Sequence, residues 1–304
     1  SCPPPKDPLS SAALMIPPPA AWTVLADGIH VRQSRAFWMN SVVLLDPEHT
    51  ILIDPGVLPS ELDDIARLVN QAEPEAVTVI LTHGHWDHVL GIPWWPKARV
   101  IAHDLAAAEM AADRSKIFRE SEKLATEHGE TWPLPFAPPR VDDAVSGQRF
   151  LKLDPWRLVL RDAPGHCDSQ ITVHLPDVNL LIAADMLSDI EIPILNTTPA
   201  VYRRTLEVLG PLARGGAFEA LIPGHGAVAL GGEEVAARLR EDLGYLDALE
   251  RGVREAREAG LSLEAAQEKL ESIEYTGKLD PVYPMTEVHR KNVRIAWGGA
   301  TSEP

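Results

Sequence analysis

The sequence predicts an α/β fold of stacked sheets with helices on their outer sides, followed by a helical C-terminal region. Three observations predict it. Short apolar runs of strand character recur in two blocks. Each block also carries segments with helical spacing. After residue 231 the pattern turns helical throughout.

The first nineteen residues hold seven prolines, in SCPPPKDPLS and MIPPPA. Proline lacks an amide donor and has a fixed φ, so residues 1–21 are expected to form an extended arm. Strands are then expected at WTVLA, GIHVRQ, SVVLLD, TILID and AVTVILT, between Trp22 and Thr82. LPSELDDIARLVNQA interrupts them with helical spacing at Leu62, Ile65, Leu68 and Val69, and Ser60 is the expected cap. The middle stretch predicts helices in DLAAAEMAAD and SKIFRESEKLATEH, then a loop in TWPLPFAPPR. RLVLRDAP, QITVHLP and NLLIAAD read as strands, TPAVYRRTLEVLGPLAR as a helix, and AFEALIPGHG as a strand ending in a turn.

From 231 to 304, Val235, Leu239, Leu243, Leu246, Leu249 and Val253 fall on one helical face. SLEAAQEKLESI is a second helix with Ser262 at its cap, and TEVHRKNVRIAW a third, stopping at Gly298-Gly299. These stripes are expected to pack on the core, and a homodimer remains open. The domain organisation expected is thus an arm (1–21), a catalytic domain (22–230) and a helical extension (231–304).

At 304 residues the chain can bury a sizeable core. Its formal charge is −16, and no basic cluster exceeds His289-Arg290-Lys291, so a nucleic-acid partner is disfavoured. No apolar run approaches the ~18 residues of a membrane span. The two cysteines, Cys2 and Cys167, make no disulfide framework. The chain starts at Ser1 rather than Met, so an upstream segment could have been removed and the compartment stays open.

Chemistry concentrates in THGHWDH, residues 82–88. Residues two apart in an extended segment point the same way, so His83 and His85 can grip one ion. Gly84 between them removes a side chain that would crowd the approach. Where the chain turns, Asp87 and His88 can face a neighbouring position. Three imidazoles and a carboxylate this close would repel on protonation without a metal. His166, Asp185 and His225 each follow a strand-like run, so all seven residues can meet at one sheet edge. Imidazole and carboxylate donors suit zinc, and also iron or manganese.

THGHWDH, APGH, AAD and IPGHG, with the earlier LIDPG, resemble the metallo-β-lactamase superfamily over roughly residues 22–230. The resemblance implies an αββα four-layer sandwich with two zinc ions in a cleft at one edge. It implies that His83, His85 and His166 hold the first metal, that Asp87, His88 and His225 hold the second, and that Asp185 bridges both. Asp54 in LIDPG matches an aspartate behind the metal loop that orients it without being a ligand. Two departures stand out. Ala184 precedes the bridging aspartate where glycine is common, and Cys167 follows His166 where a hydroxyl residue is common; a packed thiol is expected there.

Two such metals share a hydroxide of lowered pKa, which attacks an electrophilic carbonyl or phosphoryl centre. Asp87 could also orient that nucleophile and shuttle its proton. The expected activity is metal-dependent hydrolysis of an ester, thioester, lactone or amide of a small molecule. An alternative is a mononuclear iron thiol or persulfide dioxygenase using His83, His166 and Asp185. A non-catalytic binding relative is a third reading, and such relatives usually degrade the ligand set. Trp86, Trp94 and Trp95, with Tyr202 or Tyr283, are candidates to line an apolar substrate pocket. His289-Arg290-Lys291 could lend that pocket basicity, although a solvated helix face is the expected reading.

Overall fold

A computed structural model describes residues 22–273 and 285–298. The proline-rich arm over 1–21, Cys2, Tyr283 and Gly299 lie outside the described residues.

Seven strands form the first sheet in sequence order: β1 (Trp22–Ala26), β2 (Ile29–Gln33), β3 (Asn40–Leu44), β4 (His49–Ile53), β5 (Ala76–Ile80), β6 (Arg99–His103) and β7 (Asp143–Val145). β1 to β4 pair antiparallel, and β4 to β7 pair parallel. The second sheet holds β8 (Gln148–Leu153), β9 (Trp156–Asp162), β10 (Ile171–Leu175), β11 (Leu180–Ala184), β12 (Ala220–Pro223) and β13 (Ala229–Leu230), in the order β13-β12-β11-β10-β9-β8. Within it only β11 and β12 run parallel.

The period of two in the strands sorts side chains between layers. Val42, Leu44, Ile51, Ile53 and Ile80 face the second sheet, where Leu158, Leu160, Ile171, Val173 and Ile182 meet them. The intervening Val43, Leu52, Val79 and Leu81 point the other way, onto α1 (Pro59–Ala72), α2 (Ala106–Ala112) and α3 (Arg114–Glu127). Leu181, Ala183 and Leu221 likewise face α4 (Pro199–Arg214) and α5 (Gly232–Glu258). Each fully buried leucine or isoleucine contributes about 1.5–3 kcal/mol, so a register slip in any central strand would forfeit several at once. The outcome is the four-layer αββα sandwich.

The helical stripe after residue 231 lies on α5, with Val235, Leu239, Leu246, Leu249 and Val253 all buried. α6 (Leu263–Leu270) begins as expected, with the Ser262 hydroxyl accepting from the Ala265 amide. α7 (Met285–Gly298) buries Met285, His289, Asn292 and Val293 against the same cluster.

One helix start differs from expectation. Pro59 takes the first position of α1, where its missing donor costs nothing. Ser60 therefore sits inside the first turn, and its free amide donates to the Glu130 carboxylate at 2.8 Å. β6, β7, β8 and β13 carried no expectation of their own. β7 and β13 are short, and β8 alternates exposed and buried positions with charged residues among them.

Candidate metal centre

All seven predicted positions lie at strand ends on one edge. β5 runs out through Thr82 to His83 and His85, and a single 3-10 turn, Trp86–His88, carries Asp87 and His88. His166 lies between β9 and β10, Asp185 follows β11, and His225 follows β12. Because β4, β5 and β6 are parallel, and β11 and β12 are parallel, their carboxyl ends open together. The sheets are tied there by the Ile171 amide donating to Thr82 O at 2.8 Å and the Asn40 amide to Gly224 O at 2.7 Å.

Asp185 stands at the middle. Its Oδ2 lies 3.2 Å from His166 Nε2 and 3.6 Å from His83 Nε2. Its Oδ1 lies 3.1 Å from His88 Nε2 and 3.6 Å from His225 Nε2. His85 Nδ1 is 2.8 Å from His166 Nε2, which adds it to the first side. Asp87 Oδ2 is 3.2 Å from His225 Nε2 and 3.7 Å from His88 Nε2, which places it on the second. Donor atoms within each set (His83, His85, His166, Asp185; and Asp87, His88, His225) lie within 4.8 Å of one another.

The outer ring nitrogens of His83, His88, His166 and His225 are engaged. His166 Nδ1 donates to Ile194 O at 3.0 Å, and His225 Nδ1 to Phe37 O at 2.9 Å. His88 Nδ1 donates to Asp54 Oδ2 at 2.8 Å. His83 Nδ1 lies 3.0 Å from Thr82 Oγ1, whose own proton goes to Asp54 Oδ2 at 2.5 Å. With the outer nitrogens donating, four Nε2 atoms face the centre, each able to ligate in its neutral ring form. Asp54 also accepts from the Thr82 amide at 2.7 Å, so it holds the loop and two rings from behind.

The donor set fits divalent metal. His83 Nε2, His88 Nε2 and Asp185 Oδ1 are buried without a hydrogen-bond partner. Each such atom costs about 1–3 kcal/mol if left unmatched, and a cation between them would satisfy all three. Nitrogen and carboxylate donors suit zinc, iron or manganese.

The protonation pattern divides the rings. Burial, and repulsion from His88 and the other rings, hold His83 well below its ordinary value. Burial and His166 push His85 to about 3, and burial lowers His166. Burial also opposes charge on His88, yet Asp185, Asp87 and Asp54 carry it well above the ordinary range. His225 is raised to about 10 against burial, by Glu191, Asp185 and Asp87. Asp87 and Asp185 stay ionised despite burial, through His88 and His225. Without metal, one set of rings is neutral and the other keeps its protons.

Two small residues make room. A Cβ on Gly224 would sit 2.0 Å from Asp185 Oδ1, so only glycine fits beside that carboxylate. Gly84 has a different neighbour from the one expected: its Cβ would meet Glu109, 2.9 Å from Oε2, rather than crowd the ligands. Ala184 adopts a φ of 53°, the left-handed region in which glycine is unstrained.

Cys167 is buried with its Sγ 3.6 Å from Ser169 Oγ, and burial pushes its thiol far up. It stands in neither donor set. Trp86 lines the cleft over the cluster, packed edge-on against Phe37. Trp94 and Trp95, expected beside it, do not: Trp94 Nε1 donates to Asp63 and its ring leans on Trp132, while Trp95 is buried in the helix-facing core. They pin the loop after the metal turn instead of lining the pocket. Tyr202 is likewise fully buried, donating to Asp242 Oδ2 at 3.1 Å.

The cleft encloses about 250 Å³ between His85, Trp86, Asp87, His166 and Asp185 on one side and Lys116, Ile117, Asn196 and Lys291 on the other. Sequence reasoning missed Lys116 and Asn196, which carry no motif. Hollows of about 640 and 610 Å³ on other faces include none of the seven residues.

The family model for the metallo-beta-lactamase superfamily matches residues 37–235. The chain belongs to the metallo-beta-lactamase superfamily. Among solved structures, a metallo-beta-lactamase family protein from Thermus thermophilus superposes with TM-score 0.63 at 18% identity, over 90% of this chain and 94% of that one. The stereoselective inverting sec-alkylsulfatase Pisa1 from Pseudomonas sp. superposes with TM-score 0.67 at 14% identity, over 94% of this chain and 52% of that one. A double mutant of that sulfatase gives 0.71 at 15% identity, over 93% and 51%. The chain thus spans about half the length of the sulfatase. At such identities the likeness concerns the superfamily fold. No curated protein matches.

Proposed function

We propose that this chain is a dinuclear metal-dependent hydrolase that cleaves an ester, thioester, lactone or amide carbonyl of a small molecule. One observation carries the reading: the Asp185 carboxylate turns one oxygen to each of two donor sets and leaves Oδ1 and two Nε2 atoms without partners. Two bound divalent ions, zinc first among them, would supply a hydroxide near neutral pH and polarise the scissile oxygen.

The protein's own groups do the rest. Asp54, Thr82, Ile194 and Phe37 hold the rings in the tautomer that directs Nε2 inward. Asp87, at 3.2 Å from His225 Nε2 on the second donor set, is placed to orient the attacking water and shuttle its proton. The cleft, smaller than the ~300–1,000 Å³ of most ligand pockets, favours a small substrate. The dioxygenase alternative uses His83, His166 and Asp185 and would leave the second donor set, Asp87, His88 and His225, without an ion to hold. That observation favours the dinuclear reading.

The test is metal analysis of protein purified without added metal, followed by a panel of small ester, lactone, thioester, β-lactam, phosphodiester and secondary alkyl sulfate substrates. Two equivalents per chain, activity lost on chelation and its return with zinc are expected. Full activity in demonstrably metal-free protein, or one iron with oxygen consumed on a thiol, would refute the proposal.

A further inference from the structure

We infer that Arg238 on α5 is a positioning residue for the metal centre: its buried guanidinium holds the Asp185 loop and the His225 loop at a fixed spacing and so shapes the second donor set. The inference rests on the two-metal reading above and adds a part of its frame.

Asp185 and His225 follow the neighbouring parallel strands β11 and β12. Two residues after each, the backbone meets the same side chain. Arg238 Nη1 donates to Leu187 O at 3.1 Å, and Nη2 donates to Ala227 O at 3.4 Å. Glu234 and Asp189 pair with the guanidinium at 3.2 and 3.4 Å. The same Asp189 oxygen accepts from the Ala227 amide at 2.8 Å, which ties the two loops a second time. One turn further along α5, Asp242 Oδ2 accepts from the Leu187 amide at 3.1 Å. α5 therefore grips both the amide and the carbonyl of Leu187. That residue has a φ of 60°, a left-handed conformation that a leucine keeps only when its surroundings impose it.

Stability gives a poor reason for this arrangement. Arg238 and Asp242 are both buried, and well-packed apolar residues commonly serve a core as well as buried charges do. A guanidinium adds something else, a rigid fork of donors that fixes several acceptors relative to one another. Here the acceptors belong to the loops that set Asp185 Oδ1 and His225 Nε2 3.6 Å apart. Rings of the first set take their orientation elsewhere, His83 from Thr82 and His166 from Ile194. The stretch matched by the family model ends at residue 235, so the fork lies beyond it.

The experiment measures zinc affinity at each set by chelator competition, with histidine ring NMR assigning each constant to its set, and amide hydrogen exchange of the metal-free full chain. Arg238→Lys keeps the charge without the fork, and Arg238→Met fills the space. In both, affinity should fall at least tenfold at the second set and less than threefold at the first. Exchange should quicken at least tenfold over residues 185–190 and 225–228 and stay unaltered over 164–167. Leu249→Ala opens a hole elsewhere on the buried face of α5, and should leave the affinity ratio and the exchange pattern alone. A merely structural role would lower both affinities together. Should neither Arg238 variant fold, Asp189→Asn, at a partly exposed position, should weaken the second set alone by about threefold. Equal losses at both sets, no loss, or unchanged exchange in both loops overturns the inference. If the natural chain takes up only one ion, the two-metal reading fails and the exchange pattern decides the clamp. If it takes up two and the variants match it in both measurements, the clamp alone fails.

Discussion

Gly224→Ala isolates the space beside the Asp185 carboxylate. The new Cβ would lie 2.0 Å from Asp185 Oδ1, and 3.1 Å from both the carbonyl carbon and oxygen of Ala184. Ordinary contact begins near 3.4 Å, so Oδ1 must retreat by about 1.4 Å. That atom is the one shared by His88 Nε2 at 3.1 Å and His225 Nε2 at 3.6 Å, whereas Oδ2 serves the other set. A shift of ~1 Å at a reacting centre commonly costs about 100-fold in rate. Metal affinity at the second set should fall by a comparable factor, while the first set loses less. Crowding a packed site also destabilises by about 1–3 kcal/mol. The assay is competition with a chromogenic chelator, giving two dissociation constants, beside ester hydrolysis and urea unfolding. Gly84→Ala is the matched control, because its Cβ meets the movable Glu109 side chain. Two metals bound to Gly224→Ala with unaltered affinity would refute the placement of Asp185 between the sets.

Three further outcomes follow from the same geometry. Asp54→Asn removes the charge behind His88 and unbalances the Thr82 bonds; metal affinity should drop about 10–100-fold with the fold retained, and unaltered affinity would remove Asp54 from that role. Metal uptake near pH 7.5 should release about two protons from His88 and His225, whose pKa values are raised in the metal-free protein, in addition to one from water as the hydroxide forms, and almost none from His83, His85 and His166, whose values are lowered. Affinity at the second set should therefore weaken as pH falls, and calorimetry in buffers of different ionisation enthalpy counts the protons; none released would contradict the pattern. Asn292→Leu leaves the Leu195 amide and Pro193 carbonyl without their partner in the core, so unfolding free energy should fall by about 3 kcal/mol and His166 should loosen, seen as weaker binding at the first set. A change below ~0.5 kcal/mol would mean water takes over both bonds.

Much of the site was legible because its chemistry is local. HxHxDH places four donors within six residues, and a strand's period of two already aims His83 and His85 together. The strands β1 to β5 and the stripe on α5 were equally legible, since alternating and helical spacing reflect which face must leave water. β7 was not, for it has three residues and pairs with β6 about forty residues back, and β8 was not, for charged residues interrupt its apolar alternation. Trp94 and Trp95 misled for a related reason. A tryptophan in a proline-rich loop has the same sequence whether it faces a cleft or pins the loop, and here Asp63 and Trp132 decide.

Residue chemistry and periodicity alone set the donor types, the order in which strand ends present them and the layered fold. Folding was needed to divide the two Asp185 oxygens between the donor sets and to lock the outer nitrogens through Asp54, Thr82, Ile194 and Phe37. It also returns Lys291 from the far C-terminal helix to the mouth of the cleft. The difference lies in distance along the chain. Contacts between residues 54 and 88, or 196 and 291, have no local pattern to announce them, and arise only when two sheets and their helices close around a common core.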